Sequence, residues 1–390
     1  MNKKKIAVLT TCRADFGIMK ALIDLLQNQE QISCDLLVTG THLSKRWGYT
    51  VKEIEDAGTA ISYEIPIIDD QAECNDISRS MARALTSFSD IFKKEKYNIL
   101  VVLGDRYETL AVCIAAVNNC IPIAHLHGGE ITMGALDDCY RHAITKMSFL
   151  HFTSTKEYQQ RVIQMGEAPD RVFHVGALGV ENIKKISLLT RKELQDSLQF
   201  DLEHDYAVVT FHPVTLEGKD ALFQVDQLIQ VLKAVDDLRY IITYANSDEG
   251  GQEINNFLHK ELDREERFLL AESLGMKRYL SAVKYSKMVI GNSSSGIIEV
   301  PSFHVPTIDI GNRQEGRIRA ESVISCKPVK EEIRGAIMRA YNWGKDSLQK
   351  IENPYEGKDT AARIADILVS YAQGNIDLQK KFFDLEKDAI

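Results

Sequence analysis

Three consecutive serines, Ser293, Ser294 and Ser295, follow an apolar run that ends in Gly291. The apolar run, the hydroxyl cluster and a second apolar run predict a strand, a tight turn and the start of a helix. That geometry presents backbone N–H groups, hydroxyl donors and the positive end of a helix dipole to an anion such as phosphate. Glu299, about one turn into the helix, could reach a sugar hydroxyl beside the phosphate. The stretch fits an ordinary serine N-cap with a first-turn glutamate equally well.

Two further side chains in the same half of the chain end predicted strands. Arg313 could supply a cation to a diphosphate, although a surface ion pair would also explain it. His212 is followed by a proline, which fixes it in a turn at the end of a strand. A lone histidine usually has a structural role, so His212 becomes a functional candidate only through its position.

Carboxylates cluster in the first half of the chain. Asp105, Glu130, Asp137 and Asp138 all lie at predicted strand ends or helix starts. Carboxylates whose pKa is raised by burial or by like charges can act as general acids and bases. Such a set could remove a weakly acidic C–H proton while a phosphate group leaves. Asp105 and its neighbour Arg106 could equally form a local ion pair.

Helical spacing offers a simpler account of the two aspartates at 137 and 138. Asp137 and Arg141 lie four residues apart on one helix face, and so do Asp138 and His142. Two such pairs at the start of a helix need no catalytic role, and for Asp138 and His142 we favour this interpretation.

Short apolar runs alternate with amphipathic helical segments along most of the chain. This alternation predicts parallel strands in an α/β layered fold. The pattern runs to about residue 175 and restarts after a mixed, charged stretch. We therefore expect two Rossmann-like, doubly wound domains that face a cleft, at residues 1–175 and 176–365. A C-terminal helix within residues 366–390 is expected to pack back on the first domain.

Polar residues recur just after the predicted strands. Ligands of such sheets bind outside the carboxyl ends of the strands, and two domains with facing strand ends make a cleft suited to a small molecule. In the first domain the residues at these positions are Arg13, Asp15, His42, Asp105, Arg106, His127 and Glu130.

Composition excludes several classes of function. The net charge of −9 argues against a nucleic-acid partner. The 7 scattered cysteines indicate reduced thiols of a cytoplasmic protein, and without CxxC or HExxH no zinc site is expected. The apolar run after the basic start is too short for a signal peptide or a membrane span. No GxGxxG follows the first strand, which argues against a dinucleotide cofactor.

Eight motifs, in one order along the chain, together resemble the UDP-N-acetylglucosamine 2-epimerase family. They are Arg13-Ala14-Asp15, Thr39-Gly40-Thr41-His42, Gly104-Asp105-Arg106, His125 to Glu130, Arg141 to Lys146, His212-Pro213-Val214-Thr215, Gly291 to Gly296 and Gly311-Asn312-Arg313-Gln314. Each motif alone is weak, but eight in the right order are specific. The Arg141 to Lys146 stretch resembles the hydrolysing branch, which makes N-acetylmannosamine for sialic acid synthesis.

The resemblance implies a fold, a reaction and an assembly. The fold would be GT-B-like, with the active site between the two domains. Anti-elimination of UDP from UDP-N-acetylglucosamine would give 2-acetamidoglucal, and addition of water would then give free N-acetylmannosamine. Neither a metal nor another cofactor is expected, and the family suggests a homodimer or homotetramer.

The resemblance also implies roles for residues at matching motif positions. Asp105 and Asp137 would be catalytic carboxylates, and His212 would contact the diphosphate or the sugar. Glu299 would hold the ribose hydroxyls. The diphosphate would be held by Ser293, Ser294 and Arg313. Further substrate-binding residues would be Arg13, Asp15, His42, Arg106, Arg141, Asn246, Asp248, Ser295 and Gly296.

One motif departs from the family pattern. Many members have His-x-Glu-Gly-Gly-Glu after the fifth strand, and the first glutamate is a proposed catalytic residue. Here His127 stands in that position and Glu130 ends the motif. Either His127, which can exchange a proton near neutral pH, or Glu130 would then remove the proton from C2.

Three alternatives to this function stay open. A related branch of the family performs the same reaction on UDP-N,N′-diacetylbacillosamine in the legionaminic acid route. A glycosyltransferase can share the fold but would need an acceptor and would lack the carboxylate-rich first domain. A UDP-sugar binding protein would bind UDP without turnover.

Overall fold

The computed structural model describes residues 3–72, 76–133, 136–213, 221–245 and 250–385. Within these residues the strands form a 7-stranded sheet, sheet 1, and a 6-stranded sheet, sheet 2. None of the helices in this part of the chain is long and apolar enough to cross a membrane.

Strands and helices alternate along the chain. The strands are β1 Lys4–Thr10, β2 Ile32–Thr39, β3 Tyr63–Ile65, β4 Ile99–Leu103, β5 Ile123–Leu126, β6 Leu150–Thr153, β7 Val172–His174, β8 Tyr206–Thr210, β9 Arg239–Thr243, β10 Phe268–Ala271, β11 Met288–Gly291, β12 Thr307–Ile310 and β13 Val323–Cys326. The helices are α1 Arg13–Gln27, α2 Val51–Asp56, α3 Ile77–Glu95, α4 Tyr107–Asn118, α5 Asp137–Met147, α6 Lys156–Gln164, α7 Leu178–Lys185, α8 Arg191–Leu198, α9 Ala221–Ala234, α10 Gly251–Leu262, α11 Gly275–Tyr285, α12 Ser294–Ile298, α13 Lys330–Tyr341, α14 Lys345–Leu348 and α15 Thr360–Gln373.

Both sheets are parallel and have the doubly wound strand order. Sheet 1 runs β3-β2-β1-β4-β5-β6-β7, and sheet 2 runs β10-β9-β8-β11-β12-β13. In each sheet the order reverses direction next to the first strand, at β1 and β4 in sheet 1 and at β8 and β11 in sheet 2. Ligands of doubly wound sheets bind at this point, outside the carboxyl ends of the strands. The expected α/β architecture therefore predicts where each sheet offers a site.

Sheet 1 is buried on both faces, which explains why its strands are apolar without interruption. Ile6 and Val8 of β1 pack in the core that includes α1 and α15. Ala7 and Leu9, on the other face, pack in the core that includes α3 and α4. Sheet 2 is likewise enclosed by two apolar clusters. These layers hold the strand ends in fixed positions.

The chain divides into two compact units. Unit 1 consists of residues 1–130, 137–182 and 357–390, and unit 2 consists of residues 131–136 and 183–356. The chain therefore passes from unit 1 to the main part of unit 2 between residues 182 and 183. The boundary expected from the sequence lies at residue 175. Helix α7, Leu178–Lys185, spans the point where the chain passes from unit 1 to unit 2, so no break in the helical pattern marks that point.

The C-terminal segment returns to unit 1 at Gly357, earlier than the expected residue 366. Helix α15 occupies the first part of this segment and ends at Gln373. Its Ile364 and Leu368 are buried in one cluster with Met19 and Leu22 of α1. Burial of each such side chain contributes roughly 1.5–3 kcal/mol, so α15 is an integral part of the core of unit 1. Residues 374–385 follow without regular secondary structure.

Candidate active site

The turn after β1 is closed by its own side chains. The carboxylate of Asp15 accepts hydrogen bonds from the Thr11 amide at 3.3 Å and from the Thr11 hydroxyl at 2.6 Å. Asp15 lies in the first turn of α1, so these bonds fix the start of that helix. Arg13 lies nearer the surface and pairs with Glu53 at 3.6 Å. A partly exposed pair of this kind contributes less than about 1 kcal/mol, which leaves the Arg13 guanidinium available to a ligand.

His42 connects three elements at the same edge of sheet 1. Its Nε2 lies 3.0 Å from the Thr10 hydroxyl, and its Nδ1 lies 2.9 Å from the Thr50 hydroxyl. The side chain is fully buried, and burial lowers the pKa of His42 to about 4. His42 is therefore a neutral ring with both nitrogens in use. In this arrangement it shapes the turn that a substrate would meet.

A buried arginine organises the carboxylates. Arg141 of α5 is 2 % exposed and forms an ion pair with Asp105 after β4. It also donates to Asp138 Oδ1 at 3.2 Å and to the Glu130 carbonyl at 3.1 Å. The partners expected from spacing alone were different, because Asp137 lies four residues from Arg141 and Arg106 adjoins Asp105. The cluster keeps the carboxylate of Asp105 beside a positive charge, which favours its ionised form.

Two local pairs surround this cluster. Arg106 turns away from Asp105 and pairs with Glu108, at 3.0 Å and 3.2 Å, through two of its nitrogens. Glu108 is fully buried in the first turn of α4, where a negative charge is favourable. The expected pair between Asp138 and His142 is present at 3.4 Å. Asp137 is the half-buried first residue of α5.

His125 ties α5 to the turn that carries Asp105. Its Nε2 lies 2.7 Å from the carbonyl of Gly104, and its Nδ1 lies 3.1 Å from the hydroxyl of Thr145 on α5. A carbonyl can only accept, so Nε2 carries the proton and Nδ1 accepts from the hydroxyl. Burial lowers the pKa of His125 to about 3. The ring is therefore a neutral bridge between β4 and α5.

His127 and Glu130 form a second polar pair after β5. His127 Nδ1 lies 3.0 Å from Glu130 Oε1, which also accepts a 2.9 Å hydrogen bond from Ser154. Glu130 is 2 % exposed. The backbone of His127 is in the left-handed region, at φ 65°, which is uncommon for a residue with a side chain. Backbone strain of this kind is found at functional sites.

The pairing decides which nitrogen of His127 can exchange a proton. The Glu130 carboxylate accepts from Nδ1–H, so the lone pair of the neutral ring lies on Nε2. Nε2 is buried and makes no hydrogen bond within the described part of the chain. An imidazole oriented by a carboxylate and carrying an unused basic nitrogen has the arrangement of a general base.

In unit 2 a single amide side chain joins the two strands at the switch point. Asn292 Oδ1 accepts from the His212 amide at 2.7 Å, and Asn292 Nδ2 donates to the His212 carbonyl at 2.8 Å. Gly291 precedes it with φ 137°, and a Cβ there would lie 1.8 Å from the Thr210 carbonyl. Only glycine fits this position. Burial, aided by the charge of Arg313, lowers the pKa of His212 to about 3, so the ring is neutral.

The serine turn is not a capping box. Ser293 is the N-cap residue of α12, but its side chain makes no capping hydrogen bond. Glu299 lies at the C-terminal end of α12, which has only 5 residues, and accepts a hydrogen bond from Ser295. Tyr279 in turn donates to the Ser295 hydroxyl at 3.0 Å. Ser295 therefore orients Glu299, whereas Ser293 and Ser294 lie half-buried at the start of the turn.

The loop after β12 supports the same turn. Arg313 Nη1 and Gln314 Nε2 both donate to the Asn292 carbonyl, at 3.1 Å and 2.9 Å. Arg319 from the same loop pairs with buried Asp309 at 2.9 Å. The Arg313 guanidinium is thus anchored beside Asn292 and the serines. This places a cation at the carboxyl edge of sheet 2.

Some predicted residues lie outside the described part of the chain, and some important ones were not predicted. Asn246 and Asp248 belong to the first group. The sequence did not indicate Asn292, which directly follows β11, or Glu108, which lies in the first turn of α4. An asparagine after the glycine of a strand end is a signal that could have identified Asn292, because its side chain pairs readily with backbone groups.

Comparison with known proteins adds the family. The family model described as UDP-N-acetylglucosamine 2-epimerase matches residues 24–369. The GDP/UDP-N,N′-diacetylbacillosamine 2-epimerase (hydrolyzing) of Campylobacter jejuni is 39% identical over 328 residues, which cover 84% of this chain and 85% of that protein. The polysialic acid biosynthesis protein P7 of Escherichia coli is 38% identical over 388 residues, 98% of each chain.

A solved structure shows the same fold. The UDP-GlcNAc 2-epimerase of Neisseria meningitidis, determined with UDP-GlcNAc bound, matches with a TM-score of 0.80. The match covers 94% of this chain and 100% of that one at 16% sequence identity. The expected GT-B-like class, with two Rossmann-like domains, is confirmed.

Proposed function

The chain belongs to the hydrolysing UDP-N-acetylglucosamine 2-epimerase family, and we propose that it converts a UDP-linked 2-acetamido sugar to the free 2-epimer. In the first step a base removes the proton from C2 while the bond from C1 to the UDP oxygen breaks, which gives UDP and a 2-acetamidoglucal. In the second step the oxygen of water bonds to C1, and a proton is added to C2. This proton arrives on the face opposite to the one from which the first proton was removed.

The observation that carries this proposal is the pair formed by His127 and Glu130. Glu130 orients the ring, and the lone pair of His127 Nε2 is unused within the described residues. We assign His127 as the base that removes the C2 proton, with Glu130 as its partner. This assignment gives a chemical role to the histidine that stands where many relatives have a glutamate.

The buried cluster around Arg141 supplies the remaining groups of unit 1. The ion pair favours the ionised form of Asp105, so we assign Asp105 to stabilise positive charge that develops at C1 as UDP leaves. Asp137, half-buried at the start of α5, is assigned as the acid that returns a proton. Arg106 and Arg141 hold the carboxylates, and Arg13, Asp15 and His42 shape the sugar side of the site.

The groups of unit 2 are assigned to UDP. Arg313 provides the cation for the diphosphate, with the hydroxyls of Ser293 and Ser294 as donors. The helix behind them has only 5 residues, so its dipole contributes less than the sequence pattern suggested. Glu299, oriented by Ser295, is assigned to the ribose hydroxyls. His212 is neutral and is assigned a hydrogen bond to the diphosphate or the sugar.

Two substrates fit this proposal. The E. coli relative named for polysialic acid biosynthesis aligns over 98% of the chain, which favours UDP-N-acetylglucosamine and the product N-acetylmannosamine. The C. jejuni relative is named for a nucleotide-linked diacetylbacillosamine, which favours UDP-N,N′-diacetylbacillosamine as the second candidate. The chemistry at C1 and C2 is the same for both.

Proton NMR in deuterated water distinguishes these outcomes, with each UDP-sugar in its own tube. We expect release of UDP together with a free manno-configured amino sugar that carries deuterium at C2, and the faster tube identifies the substrate. His127→Gln keeps a polar side chain but removes the base, so it should release no UDP. Binding of UDP without turnover of either sugar would contradict the proposal and favour a transferase or a binding protein.

A further inference from the structure

A half-buried lysine in the C-terminal segment after α15, Lys380, bonds to the rest of unit 1. The Lys380 ammonium donates to the carbonyls of Lys146 and Ser148, at 2.8 Å and 2.7 Å, and to Glu167 Oε2 at 2.6 Å. An ammonium has three N–H donors, and all three are used. The side chain is 20% exposed, so these bonds lie mostly out of water.

Glu167 is the anchor of this arrangement. Its carboxylate is 1% exposed and also accepts from Lys146 at 2.7 Å and from His151 at 3.0 Å. Hydrogen bonds from these partners hold the pKa of Glu167 at about 2 despite its burial, so it stays ionised. A buried carboxylate without cationic partners is strongly unfavourable. Lys380 therefore gives Glu167 a second ammonium partner, beside that of Lys146.

The residues after Lys380 dock on the neighbouring turn. The Phe383 amide donates to the Gly166 carbonyl at 3.0 Å. The ring of Phe382 lies against Gly166 so closely that a Cβ there would approach it to 2.3 Å. The ammonium of Lys146 lies 4.7 Å from the centre of that ring. Together these contacts show a segment fitted to this surface of unit 1.

Lys146 and Ser148 are the link to the site. They lie at the C-terminal end of α5, where helix carbonyls lack partners within the helix and where a cation is favourable. The same helix begins with Asp137 and carries Arg141, which pairs with Asp105. The helix is short and hydrogen-bonded, so a shift at its C-terminal end moves its first turns as well.

We propose that Lys380 is a positioning residue, which holds the C-terminal end of α5 so that Asp137 and Arg141 stay aligned with Asp105. The proposal rests on the function proposed above for the roles of those three residues. The C-terminal segment is then required for turnover but not for binding of UDP, which is assigned to unit 2.

The test compares full-length variants Lys380→Met, Lys380→Arg and Lys381→Met. Lys381 is exposed and serves as the matched control for loss of a lysine. We expect Lys380→Met to lower kcat about tenfold, as small misplacements of catalytic groups do, with KM and UDP affinity unchanged. Lys380→Arg should recover part of the loss. Hydrogen exchange followed by mass spectrometry should show faster exchange in the peptide spanning 137–148 for Lys380→Met only.

Two further arms keep the test decisive. Phe382→Ala removes a docking contact and leaves all the partners of Glu167 in place, so it replaces Lys380→Met if that variant does not fold, and it should change kcat and exchange in the same direction. Unchanged kcat and unchanged α5 exchange would overturn the proposal, and so would a loss confined to KM. If the wild type turns over neither UDP-sugar, the function fails, and faster α5 exchange in Lys380→Met still supports the positioning of the helix.

Discussion

The two sheets share a strand order, but different residues and interactions form their carboxyl edges. At the edge of sheet 1, a buried arginine is paired with half-buried carboxylates, as Arg141 is with Asp105 and Asp138. At the edge of sheet 2, the neutral amide of Asn292 pairs with the backbone of His212. The carboxylates at the edge of sheet 1 are held by Arg141, whereas the turn after β11 in sheet 2 is held by hydrogen bonds to backbone groups, with the ion pair of Arg319 and Asp309 beside it.

The difference matches two kinds of work. Charged groups that are partly removed from water shift the pKa values of their neighbours and stabilise charge that develops in a reaction. Acid–base chemistry needs both effects. Fixed backbone geometry with hydroxyls and an anchored arginine suits an anion that must be bound but not changed. The same fold therefore supports both tasks by varying only the residues after its strands.

The largest expected effect comes from breaking the charged edge. Asp105→Asn keeps the shape of the side chain but leaves Arg141 without its main ionised partner. We expect kcat to fall by about a thousandfold or more, while UDP binding, measured by calorimetry, stays as in the wild type. Normal turnover in this variant would remove Asp105 from the mechanism.

A single added methyl group should disrupt the carboxyl edge of sheet 2. Gly291→Ala places a Cβ 1.8 Å from the Thr210 carbonyl at a φ of 137°, so unit 2 should lose more than about 3 kcal/mol of stability together with UDP binding. Gly311→Ala is the matched control, since its φ is 82° but, apart from its chain neighbours, no atom of the described residues lies within 4 Å of its Cβ. Urea unfolding measures the stability of both variants, and titration with UDP measures their binding. Equal losses in the two variants would mean that the close contact is unimportant.

Both edges hold a histidine whose pKa is lowered by burial, and His42 tests how the edge of sheet 1 responds to acid. The pKa of His42 falls from 6.5 to about 4 on folding, so the unfolded chain binds more protons between these values. Stability that is present above pH 6.5 is then lost as the pH falls towards 4, by about 3 kcal/mol for this residue. His42→Gln should flatten that part of the curve of unfolding free energy against pH. An unchanged slope would show that His42 is not the titrating group.

The smallest expected effect is that of replacing Asn292, which tests its role in UDP binding. Asn292→Ala removes two hydrogen bonds to the His212 backbone, each of which contributes about 0.5–1.5 kcal/mol. UDP affinity should therefore fall about tenfold, while kcat at saturating substrate changes little. A loss of kcat with unchanged affinity would assign Asn292 to the chemistry instead.

The sequence predicts these two edges unequally. Helix α5 begins at Asp137, as expected from the paired aspartates at its start. Strand β13 and helix α10 were not predicted. The four residues of β13 are largely unburied at the edge of sheet 2, so they lack the apolar pattern of a central strand.

Side-chain partners were harder to predict than elements. Spacing along a helix indicates Asp137 as a neighbour of Arg141, but it does not indicate Asp105, which lies 36 residues away and whose pair with Arg141 depends on how α5 packs on β4. The pairing of Asn292 with backbone groups and the contacts of Lys380 are likewise products of tertiary structure. Residue types at strand ends therefore indicate a site, whereas its hydrogen bonds require the fold.

The split of unit 1 along the chain has a consequence for synthesis. Helix α15 completes the core around α1, yet residues 183–356 of unit 2 are translated before it. At about 5–20 residues per second on the ribosome, one apolar face of sheet 1 stays incompletely covered for roughly 10 to 40 s, until α15 has been synthesised. Unit 2, whose main segment is continuous, can fold during that interval. The nascent chain is therefore most exposed to aggregation and to chaperones just before its last helix emerges.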